Sequence, residues 1–312
     1  MTIPATEPPD RNPGSGQLLI ATAPVNWNNF DLPDWRPAVP FPEILDRMVQ
    51  AGYRDTEYDR SFGTDPGQLL EAAHIRNMSY VGAYKWFDFL DERAFTASLE
   101  EFDTDIPLLT AIGCRHLIVS DRLRDHRVTL AGSIPEDRSA SLAADEYASM
   151  ASRLRRVAER AAATGISVHY HNHVGTYIET PWELAELLPR LDRDLVDLCF
   201  DTGHYAYGGG VAIDFLRKHV PDIGMIHLKD VDPDVLDSAR IHTWSFLVAL
   251  RNIVFCPLGA GAADIRGIVE TLRTCRFPHP LVIEQDTCSG DPTTTARRNR
   301  EFLLSLSDTR LD

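Results

Sequence analysis

The sequence predicts an α/β fold, a (β/α)₈ TIM barrel in a single domain. Eight short runs rich in β-branched and aromatic residues recur along the 312-residue chain, longer helical segments separate them, and no shift in composition divides the series. Most of the runs are near-continuous apolar stretches, as expected of parallel strands covered by helices on their outer face. An open, doubly wound sheet is the competing arrangement. Eight βα units in series favour the closed one.

The strand runs fall at residues 18–22, 53–57, 79–83, 116–120, 167–171, 195–201, 224–228 and 280–285. The first helix, 41–51, places Ile44, Leu45 and Met48 at helical spacing and stops at Gly52. Helices at 66–76 and 92–112 follow. The segment 141–164, rich in Ala and Arg, is the clearest helix and closes at Gly165. Thr180 followed by Pro181 is an N-cap and first-turn pair for a helix at 181–191. Helices at 212–220, 265–273 and 295–306 complete the set. Two βα connections are long, 121–140 and 229–263, and the second has room for a short helix at 245–251. Connections of this length in a compact domain tend to be lids or binding walls.

Composition narrows the function. An apolar fraction of 44% supports a large core. A net charge of −15 repels phosphate backbones, so nucleic acid is not an expected partner. Five cysteines, an odd number without a CxxC pair, argue against a disulfide framework or a zinc–thiolate knuckle and point to the cytoplasm. No apolar run reaches membrane-spanning length. Residues 1–16, rich in Pro and Gly, lack the basic and apolar regions of a signal peptide and read as a flexible lead-in to a barrel catalytic domain at 17–312.

Active sites of such barrels lie at the C-terminal strand ends. His171, Asp201, His227 and Glu284 stand there on four consecutive strands, a mixed O and N donor set without thiolate. It predicts one divalent ion, Mn²⁺ first, with Co²⁺, Zn²⁺ or Fe²⁺ as alternatives. His169, His171 and His173 alternate along one face; His169 reads as an interior residue, and His173 as a substrate contact or a replacement ligand. Glu57, His204 and Lys229 are the candidates for proton transfer. Each also has a structural alternative: a neighbour of the metal site or a partner of Lys229 for Glu57, a helix cap for His204, and a salt bridge with Asp230 or Glu57 for Lys229. Trp27, Asn28, Trp86, Asn172 and His173 are expected to bind substrate, the two tryptophans as apolar walls. Gly259 and Gly261 in PLGAGAAD weakly suggest a phosphate-cradling loop.

The segments GYRDTEYD (52–59), YHNHVGTYIET (170–180), FDTGHYAYGGG (200–210), IHLKDV (226–231), FCPLGAGAAD (255–264) and VIEQD (282–286) together resemble the xylose isomerase-like barrel superfamily. Within it the chain is most similar to inosose (2-keto-myo-inositol) dehydratases, and order and spacing match over almost all of the chain past residue 17. The resemblance implies a metal site on strands five to eight and a metal-dependent lyase that dehydrates an inosose-like keto-cyclitol or keto-sugar. A sugar isomerase or epimerase is the alternative, as is β-elimination from a 3-keto-glycoside, C-glycosides included. A homo-oligomer is expected by analogy only. Much of the superfamily carries Glu where this chain has His171, which places a symmetrical two-carboxylate proton shuttle in doubt. The segment 233–252 has no close match.

Overall fold

In the computed structural model, which describes residues 18–306, the eight apolar runs become the staves of a closed barrel. These are β1 (Leu19–Thr22), β2 (Asp55–Tyr58), β3 (Ser79–Phe87), β4 (His116–Asp121), β5 (Ser167–His171), β6 (Val196–Asp201) and β7 (Ile223–Leu228). A two-stranded antiparallel ribbon, β8 (Asp230–Val231) with β9 (Phe255–Cys256), follows β7, and β10 (Pro280–Ile283) closes the barrel between β7 and β1. Every neighbouring pair in the barrel is parallel. The open-sheet alternative is excluded. The lead-in expected at 1–16 lies outside the described residues.

Helices wrap the outside and bury their apolar stripes on the strands. The helix Ala144–Ala162 buries Tyr147, Met150, Leu154, Val157 and Ala161, spaced three or four apart, and leaves its arginines outward. Thr180 caps the helix Pro181–Leu187: its hydroxyl accepts the Glu183 N–H, and the Glu183 carboxylate accepts the Thr180 N–H. That helix is shorter than expected, because the chain tightens into a 3₁₀ turn, Leu188–Arg190, that carries a proline. Small and larger apolar residues together fill the barrel interior, where Ala21, Ile118, Cys199, Met225 and Val282 meet.

Three differences from the sequence reading shape the mouth. Strand β3 runs on to Phe87, because from Gly82 onward it pairs with the whole of β4, Gly82 beside His116 and Phe87 beside Asp121. The connection 121–140 contains a helix, Asp125–Leu130. The connection 229–263 holds Pro233–Ile241 as well as the expected Phe246–Arg251, and a further helix, Thr202–Tyr207, starts directly after β6. Leu32, Val174, Tyr207, Phe246 and Phe255 pack together into a second core over the mouth beside β5–β7. The residues that line the open part of the mouth come instead from the ends of β1–β4 and from the helix Glu92–Ala111.

Gly259 and Gly261 have a physical role other than the one expected of them. The Asp230 carboxylate accepts the N–H groups of Gly259, Gly261 and Ala263. The loop is an anion nest, and its anion is a side chain of the same protein rather than a phosphate. A Cβ on Gly261 would sit 2.3 Å from the Val231 carbonyl and 2.4 Å from Asp230 Oδ1. Gly261→Ala is therefore expected to destabilise the fold by about 2–4 kcal/mol, lowering Tm by several degrees. A thermal melt unchanged from the parent protein would show that the nest is not needed.

Candidate active site at the barrel mouth

Strand alternation and the parallel register bring the four expected donors together. His171, Asp201, His227 and Glu284 are all buried, and one ligand atom of each lies within 4.8 Å of the others. His171 Nε2 is 3.4 Å from Asp201 Oδ2, and His227 Nδ1 is 3.2 Å from Glu284 Oε2. Both ring nitrogens of His171, Nδ1 of His227 and Oδ2 of Asp201 are buried without a hydrogen-bond partner. Buried polar atoms without partners are costly, and one such atom from each of His171, Asp201 and His227 facing a common point is what a cation would relieve. Two imidazoles and two carboxylates suit a borderline divalent ion. The residues present fit such a group.

The surrounding bonds hold these donors in place. Asp201 caps the helix that follows it: Oδ1 accepts the His204 N–H at 2.7 Å, which turns Oδ2 toward the cluster. Glu57 Oε1 lies 2.8 Å from His227 Nε2, leaving Nδ1 for the cluster. A carboxylate behind a ligating histidine fixes its tautomer and orientation. Glu57→Gln is accordingly expected to weaken divalent-ion binding by about 10–100-fold, as read by competition with a chelating dye. An unchanged affinity would count against this placement.

Charge in the cluster is concentrated on Lys229. It is 2% exposed, and its Nζ is 2.8 Å from Asp286 Oδ1, 3.1 Å from Glu284 Oε2 and 3.4 Å from Asp201 Oδ2. Neither Asp230 nor Glu57, the partners considered from sequence, is among these contacts. Burial opposes the ammonium, but Asp201, Asp286 and Glu284 together raise its pKa well above the usual value. Burial likewise opposes the Glu284 and Asp201 carboxylates. His227 and Lys229 hold Glu284 below its ordinary range, and Lys229 and His171 do the same for Asp201. Asp286 is pushed up by burial to about 6, although Lys229 pulls the other way. Burial raises Glu57 as well.

The remaining expected residues divide. His204 is fully buried: Nδ1 accepts the Val174 N–H, Nε2 lies 3.1 Å from Lys229 Nζ, and the residue does not line the cleft. His173 lines it, with its ring 3.8 Å from that of His204 and Nδ1 bonded to the Val174 carbonyl. Burial lowers its pKa to about 3, so it faces the cleft as a neutral imidazole. Trp86 stands at the rim, 54% exposed. Trp27, Asn28 and Asn172, expected to bind substrate, do not line the cleft. Trp27 is buried and donates to Thr293 Oγ1. Asn28 exchanges two hydrogen bonds with the backbone of Val39. Asn172 does the same with the backbone of Asp201, steadying that residue. His169 is interior as expected, bonded to His116 at 2.9 Å.

Tyr84 and Asp286 are among the cleft residues that escaped the sequence reading. Tyr84 sets its ring edge against His171, at 6.0 Å between centroids, with its hydroxyl 2.5 Å from Ser120 Oγ. Asp286 is the third carboxylate on Lys229. Alternation would have found both, since Tyr84 shares a strand face with Trp86, and Asp286 lies two residues beyond Glu284.

A closed barrel whose carboxylates, imidazoles and one lysine converge at the C-terminal mouth has the architecture of a TIM-barrel enzyme. The chain belongs to the xylose isomerase-like TIM barrel family, whose model matches residues 39–306. It is 29% identical over 293 residues to an inosose dehydratase of Clostridium botulinum, covering 93% of this chain and 97% of that one. Among solved structures it is similar to the probable 3-DHS dehydratase AsbF of Bacillus anthracis, with a TM-score of 0.70, 14% identity, and coverage of 92% of this chain and 99% of that one. It is also similar to the IolI protein with a bound zinc atom, with a TM-score of 0.69, 14% identity, and coverage of 92% and 98%. No helix among the described residues is long and apolar enough to cross a membrane.

Proposed function

We propose that the protein is a divalent-metal-dependent lyase that dehydrates an inosose-like keto-cyclitol or keto-sugar. The observation that carries this reading is the convergence of four buried donors, three of them with unpartnered atoms, beside a buried lysine in an open cleft. The similarity to inosose dehydratases along nearly the whole chain supports it. His171, Asp201, His227 and Glu284 would hold the ion, Mn²⁺ by preference. Bound there, a divalent ion supplies Lewis-acid stabilisation for negative charge developing on a carbonyl oxygen.

The chain's own groups divide the proton work. Glu57 lines the cleft with Oε1 on His227, and Oε2 takes the proton from the carbon next to the carbonyl. Lys229 Nζ gives a proton to the β-hydroxyl as its C–O bond breaks. The C–H electron pair becomes the new C=C bond, and the hydroxyl leaves as water. Asp286 holds the Lys229 ammonium toward the cleft. His204 acts through Lys229 rather than on substrate, a change from its expected role. His173 offers its Nε2 lone pair to a substrate hydroxyl.

The test is incubation of the Mn²⁺-loaded protein with 2-keto-myo-inositol in D₂O. An ultraviolet band from a conjugated or diketone product, with loss of water in the mass spectrum, is the expected result. Deuterium entering recovered substrate without water loss would replace the lyase with an isomerase or epimerase.

A further inference from the structure

The cleft is larger than a bare six-membered polyol requires. Its volume is about 750 Å³, in the upper part of the ~300–1,000 Å³ range that holds drug-sized ligands. The buried donors occupy only its inner end. Phe30, Tyr84 and Trp86 are 58%, 42% and 54% exposed, and they are the only large aromatic side chains so exposed among the described residues. All three line this cleft. Exposed aromatics gathered in one concave surface mark a binding wall, whereas scattered ones carry no such meaning.

Charge decides what kind of group the outer part takes. Its cations are already matched. Arg60 and Lys85 each pair with both Glu101 and Asp105, at 2.7 to 3.1 Å. Arg122 lies 3.7 Å from Asp88, and Lys229 faces three carboxylates. A phosphate would find no unmatched lysine or arginine among the described residues of the cleft, and would meet a chain of net charge −15. A neutral, planar, apolar group would cover the exposed rings without disturbing an ion pair.

We infer that the cleft has an outer aromatic subsite, and that the preferred substrate carries an uncharged aromatic substituent on its keto-sugar ring rather than a phosphate. This deepens the proposed function and rests on the keto-group binding at the inner end.

The experiment compares methyl and phenyl 3-keto-β-glucoside, with 2-keto-myo-inositol and a keto-sugar phosphate as references. Binding to the Mn²⁺-loaded protein is read by calorimetry, and α-proton exchange is read separately by NMR in D₂O. Phenyl should bind about tenfold or more tightly than methyl, and that ratio should fall severalfold in Trp86→Ala and in Phe30→Ala. Both side chains are exposed, so the variants should fold, as circular dichroism would check. Equal affinity for methyl and phenyl, a ratio untouched by either variant, or tightest binding of the phosphate would overturn the subsite. In those cases proton exchange into the unsubstituted ketones leaves the lyase reading standing. Neither binding nor exchange with any ketone would bring down that reading and the subsite with it.

Discussion

Glu284→Gln is expected to lower kcat/KM by about 10³-fold or more, equivalent to ~4 kcal/mol of transition-state stabilisation. The carboxylate does two things that an amide cannot do equally well. Its Oε2 lies 3.2 Å from His227 Nδ1 and belongs to the donor set, and the same oxygen is 3.1 Å from Lys229 Nζ. The amide removes one of two negative charges from that set, so ion affinity should fall with activity. Dialysis followed by elemental analysis should find the parent protein with about one ion per chain and the variant with far less. The fold should survive, because Lys229 keeps Asp201 and Asp286 as partners. A variant that retains a full complement of ion and turns over within tenfold of the parent would remove Glu284 from the site.

The fold was legible because its signal is repetitive. Strands buried on both faces are apolar over most of their length, and β1, β7 and β10 announce themselves in that way, while His, Ser or Asp interrupt the run in β4, β5 and β6. What the sequence concealed follows from the same physics. The outer half of β3 alternates a half-buried lysine with the exposed rings of Tyr84 and Trp86, so the apolar run ends at Ala83 although the hydrogen-bonded ladder continues beside β4. The donors could be read because each stands at a strand end, and in a barrel every strand end faces one mouth. Trp27, Asn28 and Asn172 stand near strand ends too, yet their polar atoms are taken by Thr293 and by the backbones of Val39 and Asp201. Such pairings cross up to 266 residues of chain, and nothing local encodes them. The glycines at 259 and 261 teach the converse. A loop shaped for an anion was visible in the sequence, while the identity of that anion, the Asp230 carboxylate, depended on the ribbon between β8 and β9.

Lys229→Met should separate catalysis from ion binding, and this sets it apart from Glu284→Gln. Methionine keeps much of the length and apolar bulk of lysine but carries no proton to give. The kcat is expected to fall by about 10²–10⁴-fold, the usual contribution of a positioned general acid, while the protein still binds one ion. Stability gives a second readout. In the metal-free protein, removing the ammonium leaves Asp201, Glu284 and Asp286 without the cation that all three face. Breaking a buried charge cluster from one side costs about 3–5 kcal/mol. When the ion is bound it neutralises Asp201 and Glu284, and only Asp286 remains unmatched. The loss in Tm should therefore be larger without Mn²⁺ than with it, and the variant should gain more from added ion than the parent does. Melts of both proteins with and without Mn²⁺ test the difference directly. Equal losses in the two conditions would mean that Lys229 and the ion do not share the same carboxylates, and a kcat within tenfold of the parent would take proton donation away from Lys229.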